Sequence, residues 1–266
     1  MSAAIQLKGK TSTIHQVAFE LRYSDGFVFL DKAGRTISAI TRDYPEWIFK
    51  GGDVDGMSVV NLVNGCICTF SRERIAIRLE NEMGSEASLG AEDILEFSRQ
   101  VDLLTDLIVD HLGIKQFTRI GCRLWHLFPA TSVDEVGRWV RSLGLISLNN
   151  SIQESFGGEI ETSDFVIVIV GPEWKFRIGM TSIERFAHLD IGNEILNVKT
   201  SALSKNQKEV LLKQQRVKRQ LKVNPRYSAQ LDIDVSQENP IILNTSELIR
   251  TASEDVAKKL AGAMEA

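Results

Sequence analysis

Apolar and polar positions alternate with a period of two over His15 to Tyr23, where Val17, Phe19 and Leu21 interleave with Ala18, Glu20 and Arg22. That period predicts a strand with one buried face. From about Asp31 to Asp43 the period lengthens, with Ala33, Ile37, Ile40 and Tyr44 at helical spacing. Pro45 should end this helix, because the residue before a proline is pushed out of the α region. Gly51-Gly52-Asp53 and Asp55-Gly56 read as a loop. Strands follow over Val59 to Phe70 and Arg74 to Glu80, joined by a polar turn at Ser71 to Glu73. Ala91 to Leu112 carries the longest helical stripe (Ile94, Phe97, Val101, Leu104, Ile108), and Gly113 supplies a natural C-cap. A strand over Phe117 to Phe128, before Pro129, completes a β-α-β-β-α-β order, the ferredoxin-like arrangement.

The second half resembles the first in plan. Ser132 with Glu135 three residues on forms a capping box for a helix that ends at Gly144. A polar stretch through Gly157-Gly158 precedes Asp164 to Val170, the most hydrophobic run in the chain, which reads as a central strand. Further strands are expected at Trp174 to Thr181, Ile183 to Ile191 and Ala229 to Val235. A C-terminal helix should start near Thr245, capped by Asn244 and Glu247, with Leu248, Ala252, Val256 and Leu260 buried. The expected fold is therefore α+β, with a ferredoxin-like half over residues 1–128 and a related half over 129–266. A basic helical insertion, 205–226, falls within the second half.

Composition supports a folded chain: of 266 residues, 43% are hydrophobic and 25% charged, which excludes wholesale disorder. No apolar run approaches the ~18 residues that span a bilayer, and the first ten residues lack a signal-like apolar core. A cytoplasmic protein with no membrane partner is expected. Three cysteines fit that compartment. Cys66 and Cys68 stand two apart on one strand face, a poor zinc half-site, and read as buried thiols.

Charge changes the picture more. The net charge is −4, yet Lys205 to Arg226 holds eight basic residues (Lys205, Lys208, Lys213, Arg216, Lys218, Arg219, Lys222, Arg226) against Glu209, so the segment is +7 and the remainder −11. Read as a helix from Lys205 to Lys222, it gathers Val210, Val217 and Leu221 on one side and Lys208, Arg216, Arg219 and Lys222 on the other. Three uses fit such a ridge: a solvated face, a dock for an acidic partner including another copy, or a phosphate-binding surface. No aromatic residue interleaves the charges before Tyr227, which weakens base stacking.

Candidate chemistry is otherwise sparse. In Leu231-Asp232-Ile233-Asp234-Val235 the aspartates share a face, as do His188 and Asp190 in His188-Leu189-Asp190-Ile191. If those strands were neighbours, His188, Asp190, Asp232 and Asp234 could hold a divalent cation or act as acid and base; a half-exposed antiparallel strand shows the same alternation. Arg119 and Arg123, four apart on one strand, share a face that could hold an anion. The Gly51 to Gly56 loop lacks the Gly-Lys-Ser/Thr ending of a P-loop and the terminal Glu of an EF-hand, so it reads as a turn. No Gly-x-Ser-x-Gly elbow occurs, and nothing calls for a cofactor.

Taken together, Val17-Ala18-Phe19-Glu20-Leu21-Arg22-Tyr23, Asp43-Tyr44-Pro45-Glu46-Trp47, Arg119-Ile120-Gly121-Cys122-Arg123 and the late Leu231-Asp232-Ile233-Asp234 resemble a sporadically distributed prokaryotic family of uncharacterised proteins of about this length. The basic segment and Leu124-Trp125-His126 depart from its usual pattern. The resemblance implies a bacterial, cytosolic α+β protein and carries no activity. The reading reached is a non-enzymatic interaction protein that oligomerises or binds a partner protein, with the basic segment as contact. A nucleic-acid-binding protein using the same ridge, and a metal-dependent enzyme or regulator built on the acidic strands, are the alternatives.

Overall fold

The computed structural model describes residues 4–24, 26–81, 88–145, 164–187 and 221–265. A small hairpin, β1 (Gln6–Leu7) with β2 (Lys10–Thr11), leads into β3 (Thr13–Tyr23) and then α1 (Phe29–Asp43). Four strands follow: β4 (Trp47–Gly52), β5 (Met57–Asn61), β6 (Ile67–Phe70) and β7 (Arg74–Glu80). Next come α2 (Ala91–Leu112), β8 (Phe117–Ala130), α3 (Val133–Ser142), β9 (Phe165–Val170), β10 (Lys175–Ala187) and β11 (Leu221–Glu238). The chain closes with α4 (Thr245–Arg250), a π turn at Thr251–Asp255, and α5 (Val256–Glu265).

All described strands after the hairpin join one antiparallel sheet of nine, in the order β4-β5-β6-β7-β3-β8-β11-β10-β9. The two halves are thus continuous through the β8–β11 pair, and the expected division at 128/129 falls inside β8. The simple β-α-β-β-α-β order is not the one found. Four strands separate α1 from α2, because β4 was missed and Val59 to Phe70 breaks into β5 and β6 at a turn. The break has a local cause: the side chains of Asn61 and Asn64 accept from the amides of Val63 and Cys66, turning the backbone as Asx turns do. In the second half, the two strands expected from Trp174 to Ile191 form one long β10 over the described residues.

Odd positions of β3 (Val17, Phe19, Leu21) face the helices, as do Ile75, Ile77 and Leu79 of β7, Ile120, Cys122 and Leu124 of β8, and Leu231, Ile233 and Val235 of β11. They form one cluster with Ile40 of α1, the α2 stripe Ile94, Phe97, Val101, Leu104 and Ile108, and Leu248, Ala252 and Val256 from the C-terminal helices. Burial of each such side chain stabilises by roughly 1.5–3 kcal/mol. Helix ends match their sequence signals: Gly113 takes φ 66° at the C-cap of α2, Ser132 accepts from the Glu135 amide at 3.2 Å, and Asn244 accepts from the Glu247 amide at 3.2 Å. Among the described residues no helix is long and apolar enough to cross a membrane.

The reading of Asp164 to Val170 as a central strand is overturned. Among the described residues, strand β9 is the outermost strand, paired on one side only, with β10. Val166, Ile167, Val168, Ile169 and Val170 are 36–78% exposed. The physical reason is that the helical layer ends over β10: α3 packs on β8, β10 and β11, and nothing described covers either face of β9 beyond Phe165.

Candidate functional site: the open sheet face and its outer edge

The face of the sheet turned away from the helices is built by even positions of β3 and their cross-strand neighbours. Register aligns Arg78, Ala18, Arg123, Asp234 and Arg177 in one row across β7, β3, β8, β11 and β10. The next row holds Ala76, Glu20, Gly121 and Ser236, and the one after it Arg74, Arg22, Arg119 and Glu238. Arg119 and Arg123 do share a face, as their spacing required, but their partners lie on other strands.

Asp232 is the most enclosed charged group of this face, 8% exposed. Arg123 donates to both of its oxygens at 2.6 Å, Arg177 donates to Oδ2 at 2.7 Å, and the Trp125 indole N–H donates to Oδ1 at 3.0 Å. The Arg123 guanidinium also lies 4.9 Å from the centre of the Trp125 ring. Burial by itself would raise the Asp232 pKa; the hydrogen bonds and charges of Arg123 and then Arg177 outweigh it and hold the carboxyl below its ordinary value. Expected to line a solvated strand face, Asp232 is instead a buried anion with four donors. Its lone pairs are committed to guanidinium and indole N–H donors.

Asp234 shares that face of β11, as the alternation predicted, and accepts from Arg119 at 3.2 Å on both oxygens. Arg119 also donates to Glu20 at 3.0 Å, and reaches both acids because residue 121 is glycine. A Cβ there would stand 3.2–3.3 Å from the Arg119 guanidinium. Glu20 accepts further from Arg22 at 2.7 Å and lies 3.7 Å from Arg74. Around Ala18, Ala76 and Gly121 this arrangement leaves an open depression of about 660 Å³, lined by Arg22, Arg74, Arg78, Arg119 and Arg123 against Glu20 and Asp234.

Of the metal candidates, Asp232 and Asp234 come together, while His188 and Asp190 lie outside the described residues. Among the described residues no group of three His, Cys, Asp or Glu side chains could hold a metal ion. In the basic segment, Lys205, Lys208, Lys213, Arg216, Lys218 and Arg219 also lie outside them. Its expected helix does not extend to Lys222, since Leu221 and Lys222 already belong to β11, paired with Ala187 and Phe186. Arg226, also on β11, donates to Glu184 at 2.7 Å and stacks on Tyr227.

Cys66, Cys68 and Cys122 are free and buried; desolvation pushes the Cys66 thiol up to about 12 and raises Cys68 and Cys122 as well, so none is poised as a nucleophile. His126 points into the core, with Nδ1 3.1 Å from the Ser12 hydroxyl and Nε2 unpartnered, and burial lowers its pKa to about 4.

Sequence reasoning missed Glu20, Arg22, Arg74, Arg78 and Arg177 as members of one surface. The signal was present as charge recurring at steps of two and four, in Glu20-Leu21-Arg22 and in Arg74-Ile75-Ala76-Ile77-Arg78. No family model, no curated protein and no solved structure matches the chain.

Proposed function

We propose that the chain is a non-enzymatic interaction protein that assembles with a second copy of itself by antiparallel pairing along β9. The single observation behind this reading is the outer edge of the sheet, where five consecutive β-branched residues stand exposed on a strand that, among the described residues, is paired on one side only. An edge strand offers unpaired N–H and C=O groups as a template, and natural sheets guard such edges with lysines, prolines or bulges. Within β9 there is no charged residue, no proline and no register shift against β10. A two-fold pairing of β9 with β9 therefore brings no like charges together and buries valine and isoleucine from both copies. The same strand would serve a partner protein's strand less selectively, because it carries no charge pattern to choose one. A cytoplasmic location goes with this proposal, supported by three free thiols.

The test is sedimentation velocity over a hundredfold range of concentration, with amide exchange read at β9. Dimers whose Val166 to Val170 amides gain protection as concentration rises support the reading. A monomer throughout, or a dimer whose β9 amides exchange unchanged, overturns it.

A further inference from the structure

The open face carries a second, independent site. We propose that the depression over Ala18 and Ala76 binds the phosphoryl group of a phosphate ester. Register places Arg78 and Arg123 on either side of Ala18, on strands β7 and β8 that flank β3. Two strand spacings put their backbones about 10 Å apart, with a methyl group as the floor between them. Four residues along β7, about 13 Å away, Arg74 stands beside Arg22. The depression is thus a shallow trough with guanidinium groups on both walls and at one end, and alanines and a glycine beneath.

Its own carboxylates do not neutralise it. Glu20 is shared by Arg22, Arg74 and Arg119, and Asp234 is engaged by Arg119. Arg123 turns to Asp232. Arg78 is left, exposed and lining the trough, with no carboxylate partner among the described residues. With Arg177, the five arginines of the trough meet four carboxylates, Glu20, Asp232, Asp234 and Glu238, so the local field is positive although the chain as a whole carries −4.

A guanidinium presents two parallel N–H groups that fit phosphate oxygens bidentately, and a dianion supplies the charge that this trough lacks. Ala18, Ala76 and Ile67 supply the apolar part of the lining, and the guanidinium groups beside them disfavour a wholly greasy ligand. The volume of about 660 Å³ exceeds a bare phosphate and leaves room for the esterified group. That group could be a nucleoside, as in a free nucleotide, or the next residues of a single-stranded nucleic acid lying across the strands.

Calorimetric titration of the full chain with inorganic pyrophosphate at low salt tests the site. Binding is expected to weaken about tenfold in Arg78→Ala, the loss of one charge-assisted bidentate contact, and to stay within about twofold in Arg99→Ala, which removes an exposed arginine from α2 on the helical side. Parallel titrations with ADP and with a labelled twelve-nucleotide dT strand separate the sources. A strand that binds with a salt slope of several phosphates and is displaced by pyrophosphate assigns the polymer. ADP binding without strand binding assigns the nucleotide. No heat with any of the three, or equal losses in Arg78→Ala and Arg99→Ala, overturns the proposal and leaves the arginines as a solvated ion-pair lattice. Because β9 lies at the far edge, this result is independent of whether the chain dimerises.

Discussion

The two edges of the sheet are built differently. At one end β4 begins with buried Trp47, carries exposed Lys50, and changes register at Phe49 to Gly51, where Gly51 takes φ 152°. A lysine and a bulge are the usual guards of an edge. At the other end β9 shows only valine and isoleucine to its neighbours' side and to solvent, in unbroken register. Among the described residues, one edge is guarded and the other carries no such guard. Exposed apolar residues are present on both, Ile48 and Phe49 on β4 and Val166 to Val170 on β9. What separates the edges is the geometry and charge that forbid or permit a further strand.

The sharpest way to break this comparison is to guard β9. Val168→Lys, near the middle of the strand, should weaken self-association by roughly a thousandfold, about 4 kcal/mol, since two-fold pairing brings both new lysines close and removes apolar burial from both copies. Sedimentation velocity reads this, and an unchanged dimer would refute the β9 assignment.

The next effect concerns what holds β9 in place. Strand β9 hangs on β10 and β10 on β11, and Asp232 ties β11 to both β8 and β10 across the open face. Asp232→Ala leaves Arg123 and Arg177 without their carboxylate. Breaking a buried pair in this way costs about 3–5 kcal/mol, and the partial exposure of the two arginines puts it at the lower end. Urea unfolding should show the loss, with association falling in step.

A third effect sits at the centre that both edges share. His126 is neutral in the fold, with its pKa lowered to about 4 by burial, whereas the unfolded chain binds a proton near 6.5. The unfolded state therefore holds more protons between those values, and stability falls as pH drops from about 6.5 to about 4, by about 2–3 kcal/mol. Asp232, depressed instead of buried neutral, contributes stability above about 4 that is lost only as pH falls further. Chemical denaturation of His126→Gln should flatten the upper window, and of Asp232→Asn the lower one.

The smallest effect is a control on the guarded edge. Phe49→Lys, on β4, should leave association unchanged and stability within about 0.5 kcal/mol, as surface substitutions usually do. If it abolishes dimers, the pairing edge is β4 and the comparison is reversed.

How much of this was legible depended on the range of the interactions involved. Helix α2 appears at the bounds its periodicity set, and the caps at Ser132, Asn244 and Gly113 stand where the residue types placed them. All are contacts within four residues, so local sequence is enough. The turn between β5 and β6 was missed although Asn61 and Asn64 announced it, because the surrounding apolar residues outweighed two short side chains. Strand β9 was misplaced for a different reason. A buried central strand and an unguarded edge strand are both continuous runs of valine and isoleucine, and composition does not distinguish them.

Sequence by itself determined most of the helices and strands, which face of β3 and β11 turns inward, and that Asp232 pairs in orientation with Asp234 and Arg119 with Arg123. A period of two or of 3.6 is a property of a single segment. Tertiary structure alone decided that β8 meets β11, so that Arg119 and Arg123 face those aspartates, and that Ala18 lies between Arg78 and Arg123. It also decided that β9 is the last of the described strands in the sheet. Strand order is chosen by pairing between segments more than a hundred residues apart, through backbone groups that are the same for every residue. Side-chain pattern along one strand therefore selects a face, and only the closed packing of the whole chain selects the neighbour.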